Sequence, residues 1–155
     1  MPDTFTIRRA TLDDVPEILL HRRSMFTEMG VGTPAEMDAM EAAFEPWLRQ
    51  KMAEGYYLGW MAMAENGEVA AGAGLWLMEW PPTVVESNAR RAYMLNVYTH
   101  KPYRKQGLAH TLTQTIIDWC RTNGYHLLVL HASDAGRPIY ESMGFQLSNE
   151  MKLRL

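Results

Sequence analysis

A β-type segment, Tyr93-Met94-Leu95-Asn96-Val97-Tyr98-Thr99, runs into a short basic loop, Arg104-Lys105-Gln106, which opens at Gly107-Leu108-Ala109 into a helix. No other feature restricts the fold of this chain as much. The helix carries Leu108, Leu112, Ile116, Trp119 and Cys120 on one face, stops at Asn123-Gly124, and is followed by an apolar run at 126–131. Strand, helix and strand in that order call for a parallel pair joined by a right-handed crossover. The junction also suits an anion. The first amides of a helix lack internal partners and carry the positive end of its dipole. Gly107 and Ala109 keep bulky side chains away from them, and Arg104 and Lys105 add charge. The segment reads as a pyrophosphate cradle.

The rest of the chain supplies a mixed α/β order. Residues 4–9 read as a strand. Thr11 or Asp13 can cap a helix using Val15, Ile18, Leu19, Arg22, Met25, Phe26 and Met29, ended by Gly30 and Gly32. A second helix runs from Thr33 or Pro34 to Met52, with Pro46 expected to kink or split it. Asn66-Gly67 between apolar runs at 57–64 and 69–78 is a strong hairpin signal. The run 126–131 is almost continuously apolar, as in an interior strand. A short helix at 135–142 stops at Gly144, and 145–147 with 151–155 read as a closing β-pair.

The 155 residues suffice for one domain, 1–155, with a real core. Apolar residues make up 47% and charged residues 21%, a globular balance, and the net charge of −3 argues against non-specific nucleic-acid binding. The single cysteine, Cys120, excludes an intrachain disulfide, and the N-terminus lacks an apolar leader core, so a cytoplasmic protein without membrane spans is expected. Twelve methionines and five tryptophans suit adaptable core packing, an acceptor pocket or a dimer face. The histidines show neither H-x-x-x-H nor H-E-x-x-H spacing, so no metal is expected. Gly72-Ala73-Gly74 lacks a third glycine and no P-loop string occurs, which leaves nucleotide-binding alternatives without support.

Three segments in order resemble the GCN5-related N-acetyltransferase family: Ile7-Arg8-Arg9-Ala10-Thr11-Leu12-Asp13-Asp14, the loop Arg104-Lys105-Gln106-Gly107-Leu108-Ala109, and Ser133-Asp134-Ala135-Gly136-Arg137-Pro138-Ile139-Tyr140 ahead of Gly144-Phe145. The resemblance covers nearly the whole chain. It implies a single-domain α/β acyl-CoA N-acyltransferase fold, a mixed twisted sheet with helices on both faces. It also implies acetyl transfer from acetyl-CoA to a small-molecule or peptide amine. On that reading the amides of Gly107, Leu108 and Ala109, with the loop Arg104, Lys105 and Gln106, hold the pyrophosphate. Backbone groups of Val97, Tyr98 and Thr99 pair with the pantetheine arm. Ser133 stands where relatives carry an asparagine that contacts that arm.

Tyr140 is the expected general acid, protonating the departing thiolate or donating a hydrogen bond to it. The attacking amine needs a base, because an alkylammonium titrates near 10.4. Glu79, at the end of the hairpin, is the candidate, with Glu28 and Asp134 as further options. Glu28, Glu36, Asp38, Glu41 and Glu45, in a stretch without Lys or Arg, could form an acidic acceptor groove or a solvated face. Apolar C-terminal strands are compatible with a homodimer. The rival reading is a non-catalytic CoA-binding regulatory module on the same fold.

Overall fold

The computed structural model describes residues 3–155; Met1 and Pro2, which open the N-terminal segment read above, lie outside the described residues. Among the described residues, five strands, β1 (Phe5–Arg9), β2 (Tyr57–Ala64), β3 (Val69–Glu79), β4 (Arg90–Thr99) and β5 (Leu128–Leu130), form one sheet in sequence order. The first four are antiparallel, and β5 joins β4 in parallel. Helices α1 (Val15–Glu28) and α2 (Pro34–Glu54) cover one face, and α3 (Leu108–Thr122) and α4 (Arg137–Ser142) lie on the other.

Local chemistry explains the element boundaries. Thr11 and Asp14 form a reciprocal capping box ahead of α1, and Arg8 clamps the Asp14 carboxylate with two hydrogen bonds of 2.8 Å. Thr33 and Glu36 do the same for α2, with Pro34 in its first turn and Gly55 (φ 81°) closing it. Pro46 does not split α2. It removes one intrahelical bond, while buried Phe44 and Leu48 hold both halves against the sheet. Gly67 (φ 86°) closes the expected hairpin after Asn66, whose side chain accepts from the Glu68 amide.

Two layers of side chains flank the sheet. Val15, Ile18, Phe44, Leu48, Tyr57 and Met61 fill the α1–α2 side. Leu108, Leu112, Ile116 and Cys120 of α3 meet Trp60, Ala73, Leu75, Leu77 and Met94 on the other.

The C-terminal region differs from the sequence expectation. β5 has three half-buried residues and forms the sheet edge, not an interior strand. A continuous apolar run records that both faces are covered, which an edge strand beneath helices also achieves. The expected β-pair at 145–147 and 151–155 does not form, and Leu147, Met151, Leu153 and Leu155 are exposed. Alternating apolar residues supply one face of a strand, but neither segment finds a backbone ladder to join among the described residues. Among the described residues, no helix is long and apolar enough to cross a membrane.

Candidate active site

The register between β3 and β4 slips in the middle of the sheet. Gly74 pairs with Leu95 and Gly72 with Tyr98, so Asn96 and Val97 together oppose Ala73. This is a β-bulge, and Asn96 adopts the left-handed conformation (φ 56°) that asparagine tolerates better than most residues. The bulge turns the side chains of Leu95 and Asn96 toward the α1–α2 side. Pairing of β4 with β5 stops just before it, at Met94 opposite Leu130, while β4 runs on to Thr99. Residues 95–99 therefore present a free strand edge to which an extended, amide-bearing ligand can add.

That edge leads into the cradle. A 3-10 turn at Lys101–Tyr103 and two left-handed residues, Lys105 (φ 63°) and Gly107 (φ 77°), reverse the chain into α3. Gly107 stands at the N-cap and, among the described residues, no side chain caps the helix, so its first amides face outward. A Cβ on Gly107 would meet nothing within 4 Å, so the positive φ, not crowding, requires glycine there. Leu108 anchors the turn in the core and Ala109 is half-buried.

The loop side chains are mostly occupied. Arg104 donates from Nε to the Thr99 carbonyl (2.9 Å) and grips both oxygens of Glu28 (2.8 and 2.9 Å). Gln106 exchanges two hydrogen bonds with Asp3. Lys105 is exposed and makes no ion pair among the described residues, which leaves its charge available beside the amides.

Tyr140, on α4, is 7% exposed and joins the apolar cluster of Met94, Val97 and Leu108, with Phe145 edge-on at 5.8 Å. Burial pushes its phenol above the usual range. Gly136 makes room for the ring: a Cβ there would lie 3.0 Å from Tyr140 Cε2. Ser133 accepts from the Gly136 amide at 3.1 Å and from the Arg137 amide through its carbonyl, fixing the turn into α4.

On the α1–α2 side lies a polar network that sequence reading did not assemble. Arg22 donates from Nη1 to Asn96 Oδ1 (2.8 Å), and Asn96 Nδ2 donates to the Tyr57 hydroxyl (2.9 Å). Tyr57 is 2% exposed, and burial raises its phenol to about 12. Arg22 packs over Phe44 (4.3 Å) and Phe26 (5.1 Å) with its Nε buried and without a partner among the described residues, and burial lowers its pKa. A glycine inside a strand signals a close approach, and Gly74 is that signal here: a Cβ would sit 2.0 Å from the Tyr57 oxygen.

Other candidates fall elsewhere. Glu79 is exposed at the far end of β3, opposite Arg90. The free edge begins at Leu95, roughly 17 Å along the strand at about 3.4 Å per residue, so Glu79 is not brought to the opening. The acidic stretch, read as either an acceptor groove or a solvated face, is largely neutralised: Asp38 and Glu41 pair with Arg23, Glu45 with Arg49 and Glu28 with Arg104, while Glu36 caps α2. Asp134 is exposed in the turn before α4. His131 follows β5 and bonds through Nδ1 to the Tyr93 hydroxyl and through Nε2 to Glu150. Cys120 is buried in α3 with its thiol pushed up to about 11 by burial, which makes it a poor nucleophile.

A model of the acetyltransferase (GNAT) family matches residues 18–145. A GCN5-related N-acetyltransferase from Ralstonia eutropha JMP134 is 32% identical, with a TM-score of 0.91 over 98% of this chain and 99% of that one. A predicted acetyltransferase from Clostridium acetobutylicum, solved with acetyl-CoA, is 25% identical, with a TM-score of 0.87 over 98% and 96%. Glucosamine-6-phosphate N-acetyltransferase from Arabidopsis thaliana, 16% identical, shares the fold with a TM-score of 0.69 over 99% of each chain. Among curated proteins, none matches significantly. A family match over most of the chain, a neighbour sharing a third of its residues and the strand-to-cradle geometry agree: the chain belongs to the acetyltransferase (GNAT) family.

Proposed function

We propose that this chain transfers the acetyl group of acetyl-CoA to a primary amine of a small molecule or peptide, by direct attack in a ternary complex. The observation that carries this reading is the free edge of β4, which runs from Leu95 to Thr99 straight toward the uncapped start of α3. Acetyl-CoA in the Clostridium acetobutylicum neighbour supports the choice of donor. Backbone groups of Val97, Tyr98 and Thr99 hold the pantetheine arm. The amides of Gly107, Leu108 and Ala109, with Lys105, hold the pyrophosphate. Arg104, Gln106 and Ser133 act by fixing the loops on either side.

The amine nitrogen attacks the thioester carbonyl, the C–S bond breaks, and the thiolate leaves. Tyr140 serves that thiolate. Its phenol, raised by burial, is a weaker acid than a thiol of pKa about 8.5. Its contribution is therefore a hydrogen bond that strengthens as charge grows on sulfur, with proton transfer completed afterwards. The amine proton passes to the Tyr93 oxygen as the Tyr93 proton moves to His131 Nδ1, while Glu150 holds the opposite ring nitrogen. Glu79 lies too far along the sheet to share this step.

Free CoA release, followed across a panel of amines, tests the reading. Tyr140→Phe is expected to lower kcat about 100-fold with little change in the KM for acetyl-CoA. His131→Ala is expected to lower kcat with little change in the KM for acetyl-CoA. Unchanged kcat in Tyr140→Phe removes the acid assignment. A wild type that binds CoA but acetylates no amine is the non-catalytic CoA-binding regulatory module.

A further inference from the structure

Between α1 and the end of β4, three side chains of metal-ligating type converge. Glu17 and His21 stand one turn apart on α1, and His100 directly follows β4. Glu17 Oε1 lies 2.9 Å from His21 Nε2 and 2.7 Å from His100 Nε2, and the two Nε2 atoms are 3.2 Å apart. Hydrogen bonding satisfies this triangle poorly. If both Nε2 atoms carry protons, two N–H groups crowd against each other. If one does not, its lone pair competes with the carboxylate for a single proton.

A divalent cation engages all three lone pairs at once. A triangle with those edges has a circumradius of about 1.7 Å, shorter than the roughly 2.0–2.1 Å of zinc–nitrogen and zinc–oxygen bonds. An ion about 1.1 Å out of the plane therefore reaches every donor at bonding distance.

The surroundings are built for the cluster. His21 is 1% exposed, and its ring lies 5.4 Å from Tyr98 and 5.0 Å from His100. Gly72 has no positive φ to explain it, yet a Cβ there would come within 2.8 Å of His21 Cε1 and Nδ1. The glycine gives the imidazole its space. Glu17 and His100 also line a cavity of about 380 Å³ with Glu68, Val69, Pro102 and Tyr103. That cavity offers an entry path and room for water in the remaining coordination positions, and Glu68 adds negative charge to it.

We infer that Glu17, His21 and His100 form a binding site for a zinc-class divalent cation. Two imidazoles and one carboxylate favour zinc, nickel, cobalt or copper over magnesium and calcium, which prefer all-oxygen sets. The ion ties α1 to the residue that opens the turn into the cradle. The assignment stands apart from acetyl transfer and is tested without it.

The full chain, free of tag and stripped with chelator, is titrated with zinc chloride by calorimetry and with cobalt(II) by visible absorption. One equivalent is expected to bind in the micromolar range or tighter and to raise the Tm. His21 is buried and its replacement could unfold the protein, so the partly exposed His100→Ala and Glu17→Gln carry the test, with folding checked by circular dichroism. Each is expected to weaken zinc binding by more than about tenfold and to lose the Tm response. No saturable binding by the wild type, or undiminished affinity in both folded variants, overturns the site.

Discussion

Glu86 is the side chain whose removal should most disturb the alignment of β4 with β5. It lies in the loop before β4, is 3% exposed, and accepts four hydrogen bonds. Oε2 takes the amides of His126 (2.7 Å) and Leu127 (3.1 Å), immediately ahead of β5, and Oε1 takes the Asn88 amide (3.3 Å) and side chain (2.6 Å). Bonds to a charged acceptor contribute about 1.5–3 kcal/mol each and are not additive within one network. Glu86→Ala strands these donors and is expected to cost about 3–5 kcal/mol, a fall in Tm of roughly 6–20 °C for a chain of this length. The carboxylate also sets a pH signature. Burial opposes its ionisation, but the bonds from His126, Asn88 and Leu127 outweigh this and hold its pKa at about 2, against 4.5 unperturbed. A depressed pKa stabilises the fold above the unfolded value and loses that stabilisation as pH falls toward the folded value. The Tm gap between wild type and Glu86→Gln should thus be full above about pH 4.5 and shrink toward pH 2. Thermal melts of both proteins across that range read it, and other acid-labile groups cancel in the difference. A loss of less than about 2 °C in Glu86→Ala at pH 7, or a gap independent of pH, refutes the argument.

Asn96→Gly keeps the left-handed backbone but loses both bonds, whereas Asn96→Ala loses them and strains the bulge. The alanine variant should be less stable by about 1 kcal/mol, and equal denaturant midpoints would show that φ 56° carries no cost. Gly107→Ala meets no neighbour within 4 Å but must adopt φ 77°, so the loop rather than the core should respond. The expected result is a several-fold higher KM for acetyl-CoA with a Tm loss of only a few degrees, about 1 kcal/mol of local strain. An unchanged KM detaches Gly107 from donor binding.

The features legible in the sequence are those written in local chemistry. Thr33, three residues before Glu36, marks a helix start, Asn66-Gly67 marks a hairpin, and the run from Tyr93 to Ala109 marks a strand, loop and helix regardless of what packs around them. What escaped depends on residues far apart. Arg23 on α1 neutralises Asp38 and Glu41 on α2, so a stretch without basic residues is not an acidic surface. Arg22, Tyr57 and Asn96 come from three elements, and no spacing links them. The same holds for Glu17 and His100, which are 83 positions apart. The final residues failed differently: their alternation is strand-like, but a strand also needs a partner edge, which period alone does not encode.

Gly72 and Gly74 show how a visible signal can be misread. As a motif, Gly-x-Gly suggests phosphate, and the missing third glycine dismisses it. In β3 the pair serves α1 and β2 instead, one position clearing His21 and the other clearing the Tyr57 hydroxyl. Both glycines lie across from the segment of β4 that carries the bulge, since Gly74 pairs with Leu95 and Gly72 with Tyr98. The extra residue in β4 directs Asn96 onto the hydroxyl that Gly74 accommodates, and the ladder to β5 ends just before it. Side-chain size in β3 and strand opening in β4 are therefore two sides of one register slip. A bulky residue at position 74 would displace Tyr57, release Asn96 and remove the network that supports the bulge, so the free edge depends on the glycine paired with its first residue, Leu95.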